Sequence, residues 1–347
     1  MVKIFNLLII LCFLSQGRPL WAEDCTHLWK ADLSTAPHVP KGMSGDTSAA
    51  YAVFSFRTTP GLKLTLKGQF LNSRFLSFET YKSRLLRQHD SLLDFNMMPN
   101  PGSQNPFLTG RFGFDQGYEV DVVGEGYSVP PGRNVLILPD ALRVQAIMMR
   151  VYDPVRQLLP TDLPQVIAVD ALTGLPRACP SMVDIPFFLD FPQMIGRIAS
   201  RTEVLNFKRS GEISGGNSAI PGYMYALTKM RSDDIAFVKF KAPRARYFSV
   251  CVQNFLQNET LGCLPDRMLR VDQNGDVYVA ISEDISALNL AYSQGWNVLS
   301  FARARRQAVF GIVYRNILPE SNLAYEGSFA PQGYLCTRDE YASGSCR

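Results

Sequence analysis

The chain has 347 residues, of which 46% are hydrophobic and 19% are charged, and its formal net charge at neutral pH is +4. This is the composition of an ordinary globular protein, so it argues against intrinsic disorder, and the small net charge argues against nucleic acid as a partner. The length suggests about two domains, each able to bury a core.

The first 22 residues are typical of a signal peptide. Lys3 is followed by an apolar run, Ile4–Leu14, of 11 residues. Such a run is too short to span a bilayer, and a cleavage site near Ala22 follows it. Loss of Lys3 and Arg18 would lower the net charge by 2, from +4 to +2. We therefore expect a secreted or periplasmic protein with no transmembrane segment after cleavage; an uncleaved anchor is the alternative.

An irregular arm, residues 23–47, precedes a β-rich region at 48–155. Its alternating patterns predict strands at Tyr51–Phe56, Leu62–Leu66, Arg74–Tyr81, Leu92–Met98, Gly117–Val123 and Leu142–Tyr152. In the third of these, Phe75, Ser77, Glu79 and Tyr81 share one face. We expect residues 82–90 to form an exposed loop that contains His89.

A connecting segment, residues 156–221, contains a predicted helix over Pro192–Leu205, capped by Asp190. A second β-rich region follows at 222–319. Its predicted strands are Tyr223–Met230, Ala236–Phe240, Arg246–Gln253, Asp276–Ile281 and Arg306–Tyr314. Ser282 is predicted to cap a helix that ends at Gly295. Residues 320–347 form a tail that we expect a disulfide to hold.

Six cysteines follow residue 22, and an even number in an exported chain favours disulfides. Six cysteines allow fifteen pairings. Proximity along the chain predicts Cys251–Cys263 and Cys336–Cys346, which leaves Cys25–Cys179. The chain has no Cys-x-x-Cys spacing and only 3 histidines, so we expect neither a metal nor a cofactor. Asp272, Asn274 and Asp276 have the spacing of a calcium loop but lack its later glutamate, so a hairpin turn is the better interpretation.

The two β-rich regions are related. Leu64–Tyr81 recurs as Ala236–Gln253 at an offset of 172, which places Arg74 on Arg246 and Ser77 on Ser249. Further along, Asn134-Val135-Leu136 recurs as Asn297-Val298-Leu299, and Val151-Tyr152 as Val313-Tyr314. Polar residues that recur within one chain are most simply explained by a shared fold, as paired buried groups or fixed turns.

The pattern of Asn134-Val135-Leu136 followed by Arg150-Val151-Tyr152-Asp153-Pro154 resembles an uncharacterised, often exported bacterial family with a jelly-roll domain. That family has Asn-Trp-Leu-x-x-Pro and then an Arg-x-Tyr-x-Pro strand. Val135 replaces the tryptophan, and in the second copy Ile312 and Asn316 replace the arginine and proline. The resemblance implies two tandem antiparallel β-sandwich units and no activity.

One candidate catalytic pair emerges. Glu79 has Cys251 as its counterpart, so it is not part of the shared set, and Asp94 lies on the next predicted strand. Two carboxylates across a sandwich face can hydrolyse a glycosidic bond when they are about 5–9 Å apart. The alternative is that Glu79 is solvated or pairs with Lys82 or Arg84.

Aromatic residues in or beside loops suggest a ligand-binding surface, because flat rings can stack on sugars. The candidates are Tyr81, Tyr118, Tyr127 and Trp296, although such rings more often pack in cores. The leading hypothesis is an exported noncatalytic protein that binds a polysaccharide or an envelope protein. The alternatives are a hydrolase of envelope glycans that uses Glu79 and Asp94, and a structural scaffold. A flat aromatic patch favours binding, and a deep cleft holding both carboxylates favours hydrolysis.

Overall fold

The structure is a computed structural model that describes residues 23–32, 45–82, 87–113, 115–127, 131–139, 144–183, 201–209, 223–254, 259–302, 309–319 and 329–346. These residues form a mainly β protein, as the alternating sequence patterns predict. Their strands make four sheets, in which neighbouring strands are antiparallel apart from two parallel pairs at sheet edges. No helix within these ranges has the length and apolar character needed to cross a membrane.

The first half of the chain contains two sheets around one core. Its strands are β1 (Lys30–Asp32), β2 (Ala49–Arg57), β3 (Leu62–Gln69), β4 (Phe75–Lys82), β5 (Arg87–Leu93), β6 (Gly117–Gly124), β7 (Asn134–Leu138), β8 (Val144–Tyr152) and β9 (Gln165–Asp170), with a short helix α1 (Pro106–Thr109). One sheet has the order β1-β2-β8-β4-β5 and the other β7-β6-β3-β9. The residues between them, including Phe54, Leu64, Phe78 and Val120, are fully buried.

The second half repeats this arrangement. Its elements are β10 (Val204–Leu205), β11 (Lys208–Arg209), β12 (Tyr223–Lys229), β13 (Asp234–Lys241), β14 (Ala245–Asn254), β15 (Glu259–Pro265), β16 (Asp276–Ser282), α2 (Ile285–Ser293), β17 (Asn297–Ser300), β18 (Val309–Pro319), β19 (Gln332–Thr337) and α3 (Arg338–Ala342). The sheets have the orders β11-β12-β18-β14-β15 and β17-β16-β13-β19-β10. Each strand from β2 to β9 thus has an equivalent from β12 to β19 in the same position.

Strand register corrects one detail of the repeat. Arg150 lies opposite Tyr51 and Ser77, whereas Arg315 lies opposite Tyr223 and Ser249. Arg150 is therefore equivalent to Arg315, an offset of 165, and the alignment of Val151-Tyr152 with Val313-Tyr314 was wrong by three residues. The reason is physical: the ladder and the face of the strand fix equivalence, whereas the local Val-Tyr identity is coincidental.

Several predicted elements also change. β5 spans 87–93 and includes His89, instead of the predicted strand 92–98, because Asp94 accepts a hydrogen bond from the Leu76 amide and starts a 3₁₀ turn. Asp284, and not Ser282, caps α2. β9 and β19 lie in stretches that we assigned to the connecting segment and the tail. The predicted Asp190-capped helix lies outside the described residues, except for positions 201–205, where β10 begins at Val204.

All three predicted disulfides are formed: Cys25–Cys179, Cys251–Cys263 and Cys336–Cys346. The first attaches the N-terminal arm beside β9, where the Cys25 amide also donates to the Val166 carbonyl. The second crosses from β14 to β15, and the third holds the C-terminal helix α3 against β19.

The two halves meet through the outer faces of two equivalent sheets, those containing β4 and β14. The predicted faces of β4 are confirmed, since Leu76 and Phe78 enter the core of the first half, whereas Phe75 and Tyr81 enter a separate cluster that also contains Tyr247 of the second half. Both faces of β4 are therefore buried, and the face towards the second half carries Ser77 and Glu79 beside its aromatic residues.

Candidate functional site

Glu79 and Asp94, the candidate catalytic carboxylates, are both completely buried. Glu79 Oε1 lies 2.7 Å from Arg150 Nη1 and also accepts from Ser77, while the Tyr81 hydroxyl donates to Oε2 of the same carboxylate. Arg150 in turn donates to the Tyr81 oxygen. The carboxylate of Glu79 is therefore enclosed by its own sheet, so the interpretation of Glu79 as a solvated residue was wrong; Arg84 and the side chain of Lys82 lie outside the described residues.

Asp94 belongs to a different set of contacts. Its Oδ1 lies 2.6 Å from Arg246 Nη1 in the second half, and its Oδ2 accepts from the Leu76 amide at 2.9 Å. Burial raises the pKa of Asp94 above its usual value, and the Arg246 guanidinium opposes that rise. Each carboxylate thus has its own arginine, and both lie on the contact between the halves.

The polar residues shared by the two copies have structural partners. Asn134 bonds through its side chain to the amide and carbonyl of Met98 and to the carbonyl of Glu119. Asn297 makes the same three bonds in the second half, to Arg270 and Tyr278. These asparagines hold the segment after a 3₁₀ turn against the parallel edge of a sheet, as expected of buried paired groups.

A buried polar cluster, missed by the sequence analysis, lies where the N-terminal arm meets the second half. Asp46 Oδ2 accepts from the Ser249 hydroxyl at 2.5 Å and from the Tyr247 hydroxyl at 2.8 Å, and it lies 3.7 Å from Arg315 Nη1. Burial and the Asp46 carboxylate raise the pKa of Tyr247 well above its usual value. Asp46 lies in the unpatterned arm, so only the position shared by Ser77 and Ser249 signalled this cluster.

The predicted aromatic residues divide by burial. Tyr81 is 6% exposed and Tyr118 is 0% exposed, packed over Gly68 between Phe70 and Phe78. Neither ring reaches a ligand on the surface. Tyr127 is half-buried in the first half, and Trp296 is half-buried in the second half.

Trp296 belongs to a row of four side chains that crosses the outer sheet of the second half. Gln332 on β19 lies opposite Lys239 on β13, Lys239 lies opposite Tyr278 on β16, and Trp296 immediately precedes β17. The Trp296 and Tyr278 ring centroids are 5.3 Å apart, and Lys239 Nζ is 4.9 Å from the Tyr278 centroid. We call these four residues the aromatic strip.

Helix α2 packs over the part of this sheet that lies next to the aromatic strip. Its Ala287, Leu288 and Ala291 cover the neighbouring row, which includes Phe237 and Ala280. Tyr278 and Trp296 remain half-buried, while Lys239 and Gln332 are exposed. The first half has Gln165, Lys67, Glu119 and Arg133 at the equivalent four positions. Two aromatic rings in the second half therefore replace two charged side chains in the first.

Two other places in the second half group polar side chains: a turn and an open cleft. The Asp272–Asp276 segment forms a turn in which Asp272 accepts from two backbone amides, and both lysines of β13, Lys239 and Lys241, pair with the Asp276 carboxylate. An open cleft of about 820 Å³ beside the start of α2 is lined by Ser232, Asp233, Leu261, Glu283, Asp284, Ile285, Ser300, Phe301, Ala302 and Arg338. Neither Glu79 nor Asp94 lines it.

No family model and no curated protein matches this chain. Among solved structures, the fold is similar to that of an uncharacterised protein from Burkholderia cenocepacia, with a TM-score of 0.61, 14% identity, and coverage of 93% of this chain and 83% of that one. The VPA0106 protein from Vibrio parahaemolyticus has a TM-score of 0.48 and 10% identity, with coverage of 86% and 92%. At these identities the first likeness concerns the fold alone, and the resemblance to the jelly-roll family remains a prediction.

Proposed function

We propose that the protein is an exported, noncatalytic binding protein and that its aromatic strip holds an extended envelope or extracellular ligand, for which carbohydrate is the best chemical match. The observation that carries this proposal is the row of Trp296, Tyr278, Lys239 and Gln332, in which both rings are half-buried and Lys239 and Gln332 are exposed. An aromatic row of this kind supports binding over hydrolysis.

The chemistry of the strip suits a polyhydroxylated chain. Exposed ring surface at Trp296 and Tyr278 can pack against the C–H faces of sugar rings, while the Lys239 ammonium and the Gln332 amide supply directional hydrogen bonds. Four strands at a spacing of about 4.8 Å give the row a length of roughly 14 Å, which suits several linked sugar units better than one.

The burial of the candidate catalytic pair supports a noncatalytic role. General acid–base chemistry requires a carboxyl group within hydrogen-bond reach of the substrate. Glu79 and Asp94 are each 0% exposed, and each is bound by an arginine. Three disulfides support export, since such bonds persist mainly in oxidising compartments, and the signal peptide at residues 1–22 supplies the route.

The test is retention by a panel of envelope and plant polysaccharides in affinity electrophoresis, with newly formed reducing ends measured in parallel. The first half supplies matched controls: Tyr278→Glu gives the second half the first half's residue, and Glu119→Ala alters the equivalent place in the first half. Lys239→Ala and Lys67→Ala form a second matched pair. We expect retention to fall at least fivefold for the two second-half variants and to stay unchanged for the two first-half variants.

Each other outcome has a distinct meaning. Equal loss in both halves, or none, would refute the strip as the site. Release of reducing ends by the wild-type protein would favour the hydrolase, to be followed with Glu79→Gln under conditions where that variant is shown to be folded, because it leaves Arg150 with a neutral partner. Neither retention nor cleavage would favour the scaffold and an envelope protein as partner.

A further inference from the structure

The Cys251–Cys263 disulfide is in direct contact with a buried cation. Arg315 Nη1 lies 2.6 Å from Cys251 Sγ and 4.0 Å from Cys263 Sγ, and the arginine is only 1% exposed. Within the part of the chain that the structure describes, neither of the other two disulfides has a cation on its sulfur. This contact therefore distinguishes one disulfide from two others in the same protein.

The first half shows what this position holds when it is not a cysteine. Cys251 is equivalent to Glu79, and Arg315 is equivalent to Arg150, by the register of the strands. In the first half the pair is a carboxylate and a guanidinium 2.7 Å apart. The second half thus places the Cys251 sulfur beside Arg315, at the position where the first half places the Glu79 carboxylate beside Arg150.

We propose that Cys251–Cys263 is a thiol-exchange site that reacts with an external dithiol, and that Arg315 stabilises Cys251 as the leaving thiolate. Cys263 is the sulfur that an incoming thiolate attacks, because Cys263 is half-buried whereas Cys251 is 0% exposed. A stabilised leaving thiolate accelerates exchange, and a neighbouring arginine lowers the pKa of a thiol.

The electrons and protons balance through two displacements. A thiolate of the dithiol attacks Cys263 Sγ, the Sγ–Sγ bond breaks, and its electron pair remains on Cys251 beside Arg315. The second thiol of the reductant then displaces Cys263 from the mixed disulfide. The dithiol loses two electrons and becomes a disulfide, and the protein's disulfide gains those two. Of the two thiol protons, one ends on Cys263 and one passes to solvent while Cys251 stays ionised.

Several groups face Cys251 and set its charge balance. Asp46 Oδ2 lies 3.8 Å from Cys251 Sγ and opposes a thiolate there. That carboxylate is already held by the hydroxyls of Tyr247 and Ser249, so Arg315 is not its sole partner. The face of the Tyr223 ring also lies 5.4 Å from the Arg315 guanidinium carbon. In the reduced protein, Arg315 would therefore face both the Cys251 thiolate and the Asp46 carboxylate.

The three disulfides have the same burial pattern, so their reduction rates can be compared within one protein. Each pairs one buried cysteine, namely Cys25, Cys251 or Cys336, with one half-buried cysteine. This shared burial pattern by itself does not single out one of the three for faster reduction. A rate difference in favour of Cys251–Cys263 would report the chemistry at Arg315.

The experiment treats the full oxidised protein with dithiothreitol under native conditions, quenches samples with iodoacetamide, and follows each disulfide by mass spectrometry of its peptides. We expect Cys251–Cys263 to be reduced about tenfold faster than either other disulfide. Arg315→Gln should abolish this advantage, whereas Arg315→Lys should retain part of it. Global unfolding would expose all three bonds alike and would itself bring their rates together, so the ratio is read only under conditions where circular dichroism shows the variant to be folded.

Two results would overturn the proposal. One is a wild-type rate for Cys251–Cys263 equal to or below the rates of the other two. The other is an unchanged ratio of rates in Arg315→Gln. Because the readout is reduction and not ligand retention, its failure is independent of the binding function proposed above.

Discussion

Arg74 and Arg246 are equivalent residues that make reciprocal ion pairs across the contact between the two halves. Arg74 Nη1 lies 2.5 Å from Asp266 in the second half, and Arg246 Nη1 lies 2.6 Å from Asp94 in the first. Asp94 and Asp266 are themselves equivalent, each beginning the 3₁₀ turn that follows β5 or β15. Each half thus offers the other the same arginine and the same aspartate, as subunits do in a twofold dimer.

The two pairs differ in burial, so we expect Arg246→Ala to cost more stability than Arg74→Ala. Asp94 is 0% exposed, and removal of Arg246 leaves a buried carboxyl group without its cation, at a cost of about 3 kcal/mol. The Asp266 side chain keeps some contact with water, so loss of Arg74 should cost about 1 kcal/mol. Urea unfolding measures both, and the Arg246→Ala/Asp94→Asn double variant should cost less than the sum of its single changes. Equal costs for the two arginines would contradict this account.

The penalty of Arg246→Ala should shrink as the pH falls. Burial holds the pKa of Asp94 above its usual value, and loss of Arg246 removes the interaction that opposes this rise. A carboxyl whose pKa is higher in the folded state gives stability that is present at low pH and is lost as pH rises through that pKa. The variant should therefore be closer to wild type at about pH 4 than at about pH 7. A penalty that is constant over this range would show that Asp94 ionisation plays no part.

Asn134 and Asn297 should be equally important for stability, because each makes the same three side-chain hydrogen bonds at equivalent places. Replacement of either by alanine leaves buried backbone groups without partners, and we expect a loss of about 2 kcal/mol in each case. Asn96→Ala is the control, since Asn96 is exposed, and it should change stability by less than about 0.5 kcal/mol. Thermal denaturation provides the comparison. A large cost in one half alone would show that the shared asparagine has diverged in role.

Removal of Cys25–Cys179 by a double serine substitution should destabilise the protein more than removal of Cys336–Cys346. The first bond joins residues 154 apart, the second residues 10 apart. Chain entropy of the unfolded state then predicts contributions of about 5 and about 3 kcal/mol. Guanidinium unfolding of both variants checks the order. If the order is reversed, local packing of the arm or of α3 outweighs loop closure.

The fold class and the disulfides could be predicted from alternating patterns and from the number and spacing of the cysteines. Alternation along Phe75–Lys82 assigned both faces of β4, since period-two patterning survives whatever the strand packs against. The three disulfides followed from spacing and elimination. Asn134 and Asn297 were recognised as equivalent because each begins the same Asn-Val-Leu sequence, and both lie on the parallel edge strand of their sheet.

The predictions that failed concerned contacts between residues that are distant in the sequence. The ladder, and not residue identity, aligns Arg150 with Arg315, and only paired strands reveal it. Glu79 was a catalytic candidate because it differs from its counterpart Cys251, and the sequence alone did not show that its face of β4 is buried against the other half. Tyr278 and Lys239 were missed as site residues although their own strands were predicted, because only the end of α2 decides which row of the sheet stays uncovered.

Asp46 has a consequence for the way the chain reaches its native state. It lies between β1 and β2, yet the hydroxyls that donate to it come from Tyr247 and Ser249, 201 and 203 residues later. Contacts of such long sequence separation form late, because the entropy of closing the loop must be overcome before they contribute. During N-to-C-terminal synthesis, the first half can bury its own core first. Asp46 stays in contact with water until the second half has been synthesised. Asp46 therefore becomes buried late in folding, when the second half packs against the first.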